Sequence, residues 1–197
     1  MSELLLSLPL LSSYLSPKEY NKTHHRRRDF IYLPTDRPDR LFILNRGAVK
    51  LGNYSPKGVE VTYDIVCPGE FFGNLQYLPG NVFSEFAKAL SPVEVYSYPT
   101  RLFKEMIQQN TRVAEYFHKV MVRRWCRTET KLFANASLSP IERVKQLLSQ
   151  YQQQVTTDTK KTVPIHTLLT QKDIANLTGL TRQTVAQIMK NRHVKAM

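Results

Sequence analysis

The sequence predicts an α+β fold with its strands in front and its helices behind, and three observations carry that prediction. Short alternating or apolar stretches, set apart by turn signals, fill residues 30–98. Past Pro99 the punctuation stops: no proline follows until Pro140, and no glycine occurs from residue 81 through 178. Helix-start syntax then recurs at Ser139-Pro140-Ile141-Glu142, at Thr170 and at Thr181. With 197 residues, 42% of them hydrophobic and 22% charged, the chain has the composition of an ordinary folded protein of one large or two small domains.

The strands are read first. They are predicted at residues 29–33, 40–44, 48–54, 59–66 and 93–98, with turns at Pro34-Thr35-Asp36, Asn45-Arg46-Gly47, Ser55-Pro56-Lys57-Gly58, Pro68-Gly69 and Pro79-Gly80-Asn81. Short strands at such spacing, with little helical pattern between most of them, indicate an antiparallel sandwich or jelly roll. Val59, Val61 and Tyr63 alternate with Glu60, Thr62 and Asp64, which predicts an apolar buried face and a polar wet one. Ahead of this block, Ser16-Pro17-Lys18-Glu19 has the form of a capped helix start.

Helices follow. A short one is predicted over Arg101–Gln108 and a long one from Asn110 to Ala134, about 37 Å at 1.5 Å per residue. Its apolar stripe, Val113, Phe117, Val120 and Leu132, is interrupted by Arg123, Arg124 and Arg127. Packing along its own sheet is one reading. A dimerisation helix is preferred, because a half-apolar helix of this length needs a partner. The next helix, behind Pro140, has the amphipathic face Ile141, Val144, Leu147, Leu148 and Tyr151. A polar stretch from Gln152 to Lys161 and a short strand over Thr162–Ile165 complete this region.

The last segment carries the function. Thr170 caps a helix whose third residue is Asp173, Gly179 sits where the chain must reverse, and Thr181 caps a second helix. Two capped helices joined by a short glycine-containing turn make a helix-turn-helix. The outward positions of the second helix are Arg182, Gln183, Thr184 and Gln187. Arg suits guanine, Gln suits adenine, and a Thr methyl suits the thymine methyl. Thr170, Gln171, Lys172, Thr181, Lys190 and Arg192 lie where they could meet phosphates. Charge agrees: the first hundred residues hold 11 Lys and Arg against 10 Asp and Glu, and the remainder hold 17 against 6. An excess confined to one half points to a partner that carries phosphates.

In its order of parts the chain resembles the Crp/Fnr family of bacterial transcription regulators. Asp36–Lys50 looks like that family's early β-roll signature, with Gly47 at its turn. Cys67-Pro-Gly-Glu-Phe-Phe-Gly-Asn74 looks like the start of its phosphate-binding cassette, and Thr181-Arg-Gln-Thr-Val185 like the opening of its recognition helix. The resemblance implies a sensor β-roll over 1–108, a dimerisation helix and hinge over 109–136, and a winged helix-turn-helix over 137–197. It also implies double-stranded DNA, a second copy of the chain and RNA polymerase as partners, with Arg182, Gln183 and Gln187 reading bases.

The cassette, Gly69, Glu70, Gly73, Asn74, Phe83 and Ser84, departs from the nucleotide-binding pattern. Asn74 replaces the second acid and Phe83 the arginine, which leaves no charge-assisted cradle for a cyclic phosphate. Cyclic AMP is therefore not expected as effector, and another small molecule remains open. The wing expected after the recognition helix is short, with seven residues after Lys190. Two cysteines, Cys67 and Cys126, cannot supply an iron–sulfur ligand set or a disulfide framework, and both read as small hydrophobes. His24 and His25 lie in the basic run Lys22–Arg28, read as a solvated face that could also lean on DNA backbone. No cofactor, metal or catalytic residue set is expected, so no enzyme is predicted. The acidic residue Glu3 in the apolar head argues against a secretory signal, no apolar run is long enough to span a membrane, and a reducing cytoplasm is expected.

Overall fold

The computed structural model describes residues 20–36, 39–73 and 84–190. The expected helix start at Ser16, the turn at Pro79–Asn81, cassette residues Asn74 and Phe83, and Arg192 with the region of the wing lie outside the described residues. Among the described residues of the first half there are eight strands: β1 (Asn21–His25), β2 (Phe30–Tyr32), β3 (Arg40–Arg46), β4 (Val49–Tyr54), β5 (Glu60–Val66), β6 (Phe71–Phe72), β7 (Phe86–Ala89) and β8 (Val93–Pro99). They form two antiparallel sheets, β1-β8-β3-β6 and β2-β7-β4-β5. Strand β1 falls within the run read as a solvated basic face. It is an edge strand that pairs with β8, and its largely exposed side chains leave no alternation to detect.

Gly47, with φ of 88°, carries the chain from one sheet to the other rather than closing a hairpin. A Cβ there would stand 2.3 Å from the Pro92 carbonyl oxygen, so a side chain is excluded. Between the sheets lie Leu44, Val49, Leu51, Val66, Phe72, Ala87 and Val95. Tyr32, Phe42 and Phe72 continue that core as a group of neighbouring rings.

The α-helices of the described residues are α1 (Thr100–Gln109), α2 (Thr111–Ser137), α3 (Pro140–Gln150), α4 (Gln171–Thr178) and α5 (Arg182–Lys190). Asn110 starts α2, its side chain accepting from the N–H groups of Arg112 and Val113. A hairpin of β9 (Gln154–Thr156) and β10 (Thr162–Pro164) lies between α3 and α4.

Helix α2 corrects the expected dimer face. Val113 and Val120 are fully buried and Phe117 is half-buried, all packed with Leu41, Ile43, Phe71, Phe103 and Met106 of the same chain. Of the four apolar residues assigned to a partner, only Leu132 is exposed. The arginines that seemed to interrupt the stripe continue it. Positions 113, 117, 120, 124, 127, 131 and 134 form one inward face at helical spacing, and its second half is charged because the sheet opposite it is charged. Arg124, Arg127 and Lys131 converge on Asp64 at 3.1, 3.4 and 3.3 Å, and Arg127 also bridges Glu70 at 3.1 Å.

That pairing explains a second correction. The alternation in β5 is present with its faces exchanged: Val59 and Val61 are exposed, while Thr62 and Asp64 are buried. The polar face of β5 is covered by the helical half of the chain, and Tyr63 turns toward the roll interior.

Burial alone would push the Asp64 carboxyl up, yet Arg127, Lys131 and Arg124 outweigh it and hold the group below its ordinary value. A carboxyl lowered in the folded state adds stability above its unfolded pKa of about 4, and that stability is lost as pH falls through the folded value. Urea denaturation should show this loss below about pH 4. Arg127→Met should cost about 3–5 kcal/mol at neutral pH by stranding Glu70, and Arg127→Met with Glu70→Gln should recover part of that loss. Unchanged stability in the single variant would show that the cluster does not hold α2.

Candidate nucleic-acid interface and effector cassette

The helix-turn-helix is built as its sequence syntax requires. Thr170 Oγ accepts the Asp173 N–H at 3.1 Å, and the Asp173 carboxylate accepts the Thr170 N–H at 3.0 Å. Gly179, with φ of 65°, ends α4 in the left-handed region, and its N–H donates to the Ala175 carbonyl. Thr181 Oγ accepts the Thr184 N–H at 3.1 Å and starts α5. Ile174, Ala175, Leu177, Val185 and Ile188 are buried in one cluster with Val144, Leu147, Leu148 and Tyr151 of α3 and its end.

Burial on that side turns the other side outward. Arg182, Gln183, Gln187 and Lys190 are exposed on α5, and Thr170, Gln171 and Lys172 are exposed at the start of α4. No hydrogen bond or ion pair engages the side chains of Arg182, Gln183, Gln187, Lys172 or Lys190 among the described residues. Thr184 is half-buried, with its hydroxyl 2.9 Å from that of Thr181, so its methyl is the group left for contact. The surface therefore presents long polar donors and acceptors beside two helix N-termini, a combination suited to phosphates and base edges.

Asp173 does more than cap. It is 1% exposed, and it accepts from Lys50 Nζ and from Thr62 Oγ, each at 2.8 Å. Burial would raise this carboxyl, but the contacts from Lys50, Thr170 and Thr62 keep it below its ordinary value. Sequence reasoning took Asp173 only as a capping residue and missed both partners, which lie more than a hundred positions away. It also missed the exposed face of α2: Met121, Val122, Trp125 and Phe133 join Leu132 there. Their spacing of three, four and eight positions was a legible signal, hidden by the stronger apolar stripe beside it.

In the candidate effector cassette, Gly69 and Gly73 both take positive φ, 86° and 101°. Glu70 is committed to the fold. Its carboxylate accepts the Cys67 N–H at 3.0 Å and bridges Arg127, so it is not free for a ligand. Burial and the nearby Glu70 push the Cys67 thiol up to about 12. Ser84 donates to the Pro34 carbonyl at 3.4 Å. Next to it, Glu85 accepts from the hydroxyls of Tyr32 and Tyr63. Burial, followed by the charge of Glu85, pushes both phenols above their ordinary value. Among the described residues, no group of three His, Cys, Asp or Glu side chains could hold a metal, and no helix is long and apolar enough to cross a membrane.

Residues 22–110 match the cyclic nucleotide-binding domain family. A CRP-like cAMP-activated global transcriptional regulator of Mycobacterium tuberculosis is 26% identical over 179 residues, covering 91% of this chain and 78% of its own. A global nitrogen regulator of Nostoc sp. is 27% identical over 173 residues, covering 87% of this chain and 78% of its own. In fold, the chain is similar to FixK2 from Bradyrhizobium japonicum, with a TM-score of 0.69 and 17% identity over 90% of this chain and 86% of that one. TTHB099 from Thermus thermophilus gives a TM-score of 0.67 and 18% identity over 88% and 85% of the two chains. The two sequence relatives and TTHB099 are named as regulators, and each of the four matches covers at least 87% of this chain. Along most of its length the chain is thus similar to transcription regulators of the Crp/Fnr type, and its first half carries the cyclic nucleotide-binding domain match.

Proposed function

We propose that this regulator is a homodimer that binds double-stranded DNA at a palindromic operator and responds to something other than cyclic AMP. The observation that carries the DNA reading is the capped α4–α5 pair, whose outward side chains Arg182, Gln183, Gln187 and Lys190 are exposed. Arg182 and the two glutamines would read base edges, and Lys172 and Lys190 would meet phosphates. RNA polymerase beside the operator would be the partner through which binding affects transcription. Binding to a palindromic fragment selected from random duplexes should fall steeply with salt. Arg182→Ala should cost about 1–3 kcal/mol, mainly against the preferred base pair, whereas Lys190→Ala should weaken all duplexes alike. Equal, weak retention of every duplex by the unaltered protein would reject the reading.

The dimer reading rests on the outer face of α2. Trp125 and Phe133 are each 66% exposed and Leu132 is 65% exposed, on a helix whose other face is already packed. Three large apolar side chains on one wet stripe fit a second copy of the same helix. A two-fold axis through that stripe would hold two recognition helices about 34–36 Å apart, one DNA turn. Trp125→Asp combined with Phe133→Asp should sediment as a monomer and lose about a hundredfold or more in operator affinity through lost avidity. A fully dimeric double variant would move the interface elsewhere.

The effector reading is supported by the same cassette that departs in sequence. Glu70 is locked to Arg127, and Glu85, with two phenols bonded to it, adds a negative group beside Ser84. A cyclic phosphate would meet a carboxylate where it needs a cation. Calorimetry with cyclic AMP and cyclic GMP should give no heat at micromolar concentrations; micromolar affinity for either would refute this.

A further inference from the structure

We propose that Lys50 and Thr62 of the β-roll are positioning residues for DNA reading, acting through Asp173 to fix the helix-turn-helix on the sheet that carries them. The inference rests on the dimeric, DNA-binding reading above and adds what sets the pose of each reading head.

Three features of the contact support it. First, the polar part is complete. The Asp173 carboxylate receives Lys50 Nζ, Thr62 Oγ, Thr170 Oγ and the Thr170 N–H between 2.6 and 3.0 Å, and it is almost wholly buried. Lys50 is oriented in turn by Glu60 at 3.8 Å, which also holds Lys88 at 2.9 Å.

Second, the polar contact lies within an apolar one. Ala48, Ile65, Cys67 and Leu90 of the roll share a core with Ile174, Leu177, Val185 and Ile188 of the helix pair. Apolar burial holds surfaces together without fixing direction, so it permits sliding. Hydrogen bonds to a buried carboxylate are directional, and they select one register of the two surfaces.

Third, the anchored residue belongs to the reading element itself. Asp173 lies on the first turn of α4, whose Thr170, Gln171 and Lys172 face outward. The same turn thus faces the roll on one side and solvent on the other. With α2 tied to β5 through Asp64, and α4 tied to β4 and β5 through Asp173, both the long helix and the reading head are referred to one sheet.

A fixed pose should appear as intolerance of operator spacing, because two linked heads gain avidity only when their separation matches the two half-sites. The test uses the full chain, a palindromic duplex selected by the unaltered protein, and versions of that duplex with the central spacer one or two base pairs longer or shorter. Lys50→Met and Thr62→Val should narrow the difference in affinity between matched and altered spacers by about tenfold, while Lys50→Arg keeps it. A variant that merely weakened the fold would lower all affinities together and leave the ratio unchanged.

A second measurement needs no DNA. Spin labels at exposed Lys57 and Ser149 (K57C and S149C in a C126S background, diluted into unlabelled protein) should give one narrow distance, broadened by Lys50→Met. If Lys50→Met keeps both the narrow distance and the full spacer penalty, the positioning role is refuted. If the unaltered protein selects no palindrome, the DNA reading fails and the distance measurement alone decides whether Lys50 fixes the head.

Discussion

The buried carboxylate of Asp64 is the constraint on which the rest of the arrangement depends. Three cations from successive turns of the long helix reach it, and one of them, Arg127, is shared with Glu70. A charge taken out of water without compensation costs several kcal/mol, so the sheet and the helix cannot rotate past one another without stranding one side. Apolar contacts along the first half of the helix would tolerate such a rotation more readily. The ionic second half sets which residues point inward, and by exclusion it sets which point out. Arg127 extends the constraint further, lying 5.8 Å over the ring of Tyr151 at the end of α3.

Strand β5 organises the domain contact in the same way. Its polar residues face the helical half of the chain, where Thr62 meets Asp173 and Asp64 meets α2. A capping acid on a helix usually satisfies only its own helix end. Here the acid that closes the Thr170 capping box also receives two donors from the β-roll, so local helix formation and domain docking share one side chain. The sharing makes the start of α4 a structural junction as well as a candidate phosphate contact.

In the turn that resembles a phosphate-binding cassette, the acids serve the fold. Glu70 accepts a backbone N–H across its own turn and clamps the long helix, while Glu85 collects two phenols near the stacked rings of Tyr32, Phe42 and Phe72. A turn whose acid is consumed by the fold keeps its shape without a ligand.

By itself the sequence determined what local rules control. The predicted strands, the long helix from Asn110, the Ser139 start and the Thr170–Gly179–Thr181 syntax are all encoded within a few residues of where they act, because caps, turns and periodicity are short-range. The outward positions of α5 were legible for the same reason, since Val185 and Ile188 fix the buried side of a short helix. Only the tertiary structure decided which face of an element is buried when both faces offer a pattern. In β5 the valines lost to Thr62 and Asp64, and in α2 the arginines joined the inward stripe while Trp125 and Phe133 stayed outside. Both outcomes follow from one physical fact. A polar residue may be buried at little cost when a partner of opposite charge or matching hydrogen-bond capacity is brought to it, and those partners, Arg127 for Asp64 and Lys50 for Asp173, stand 63 and 123 positions away along the chain.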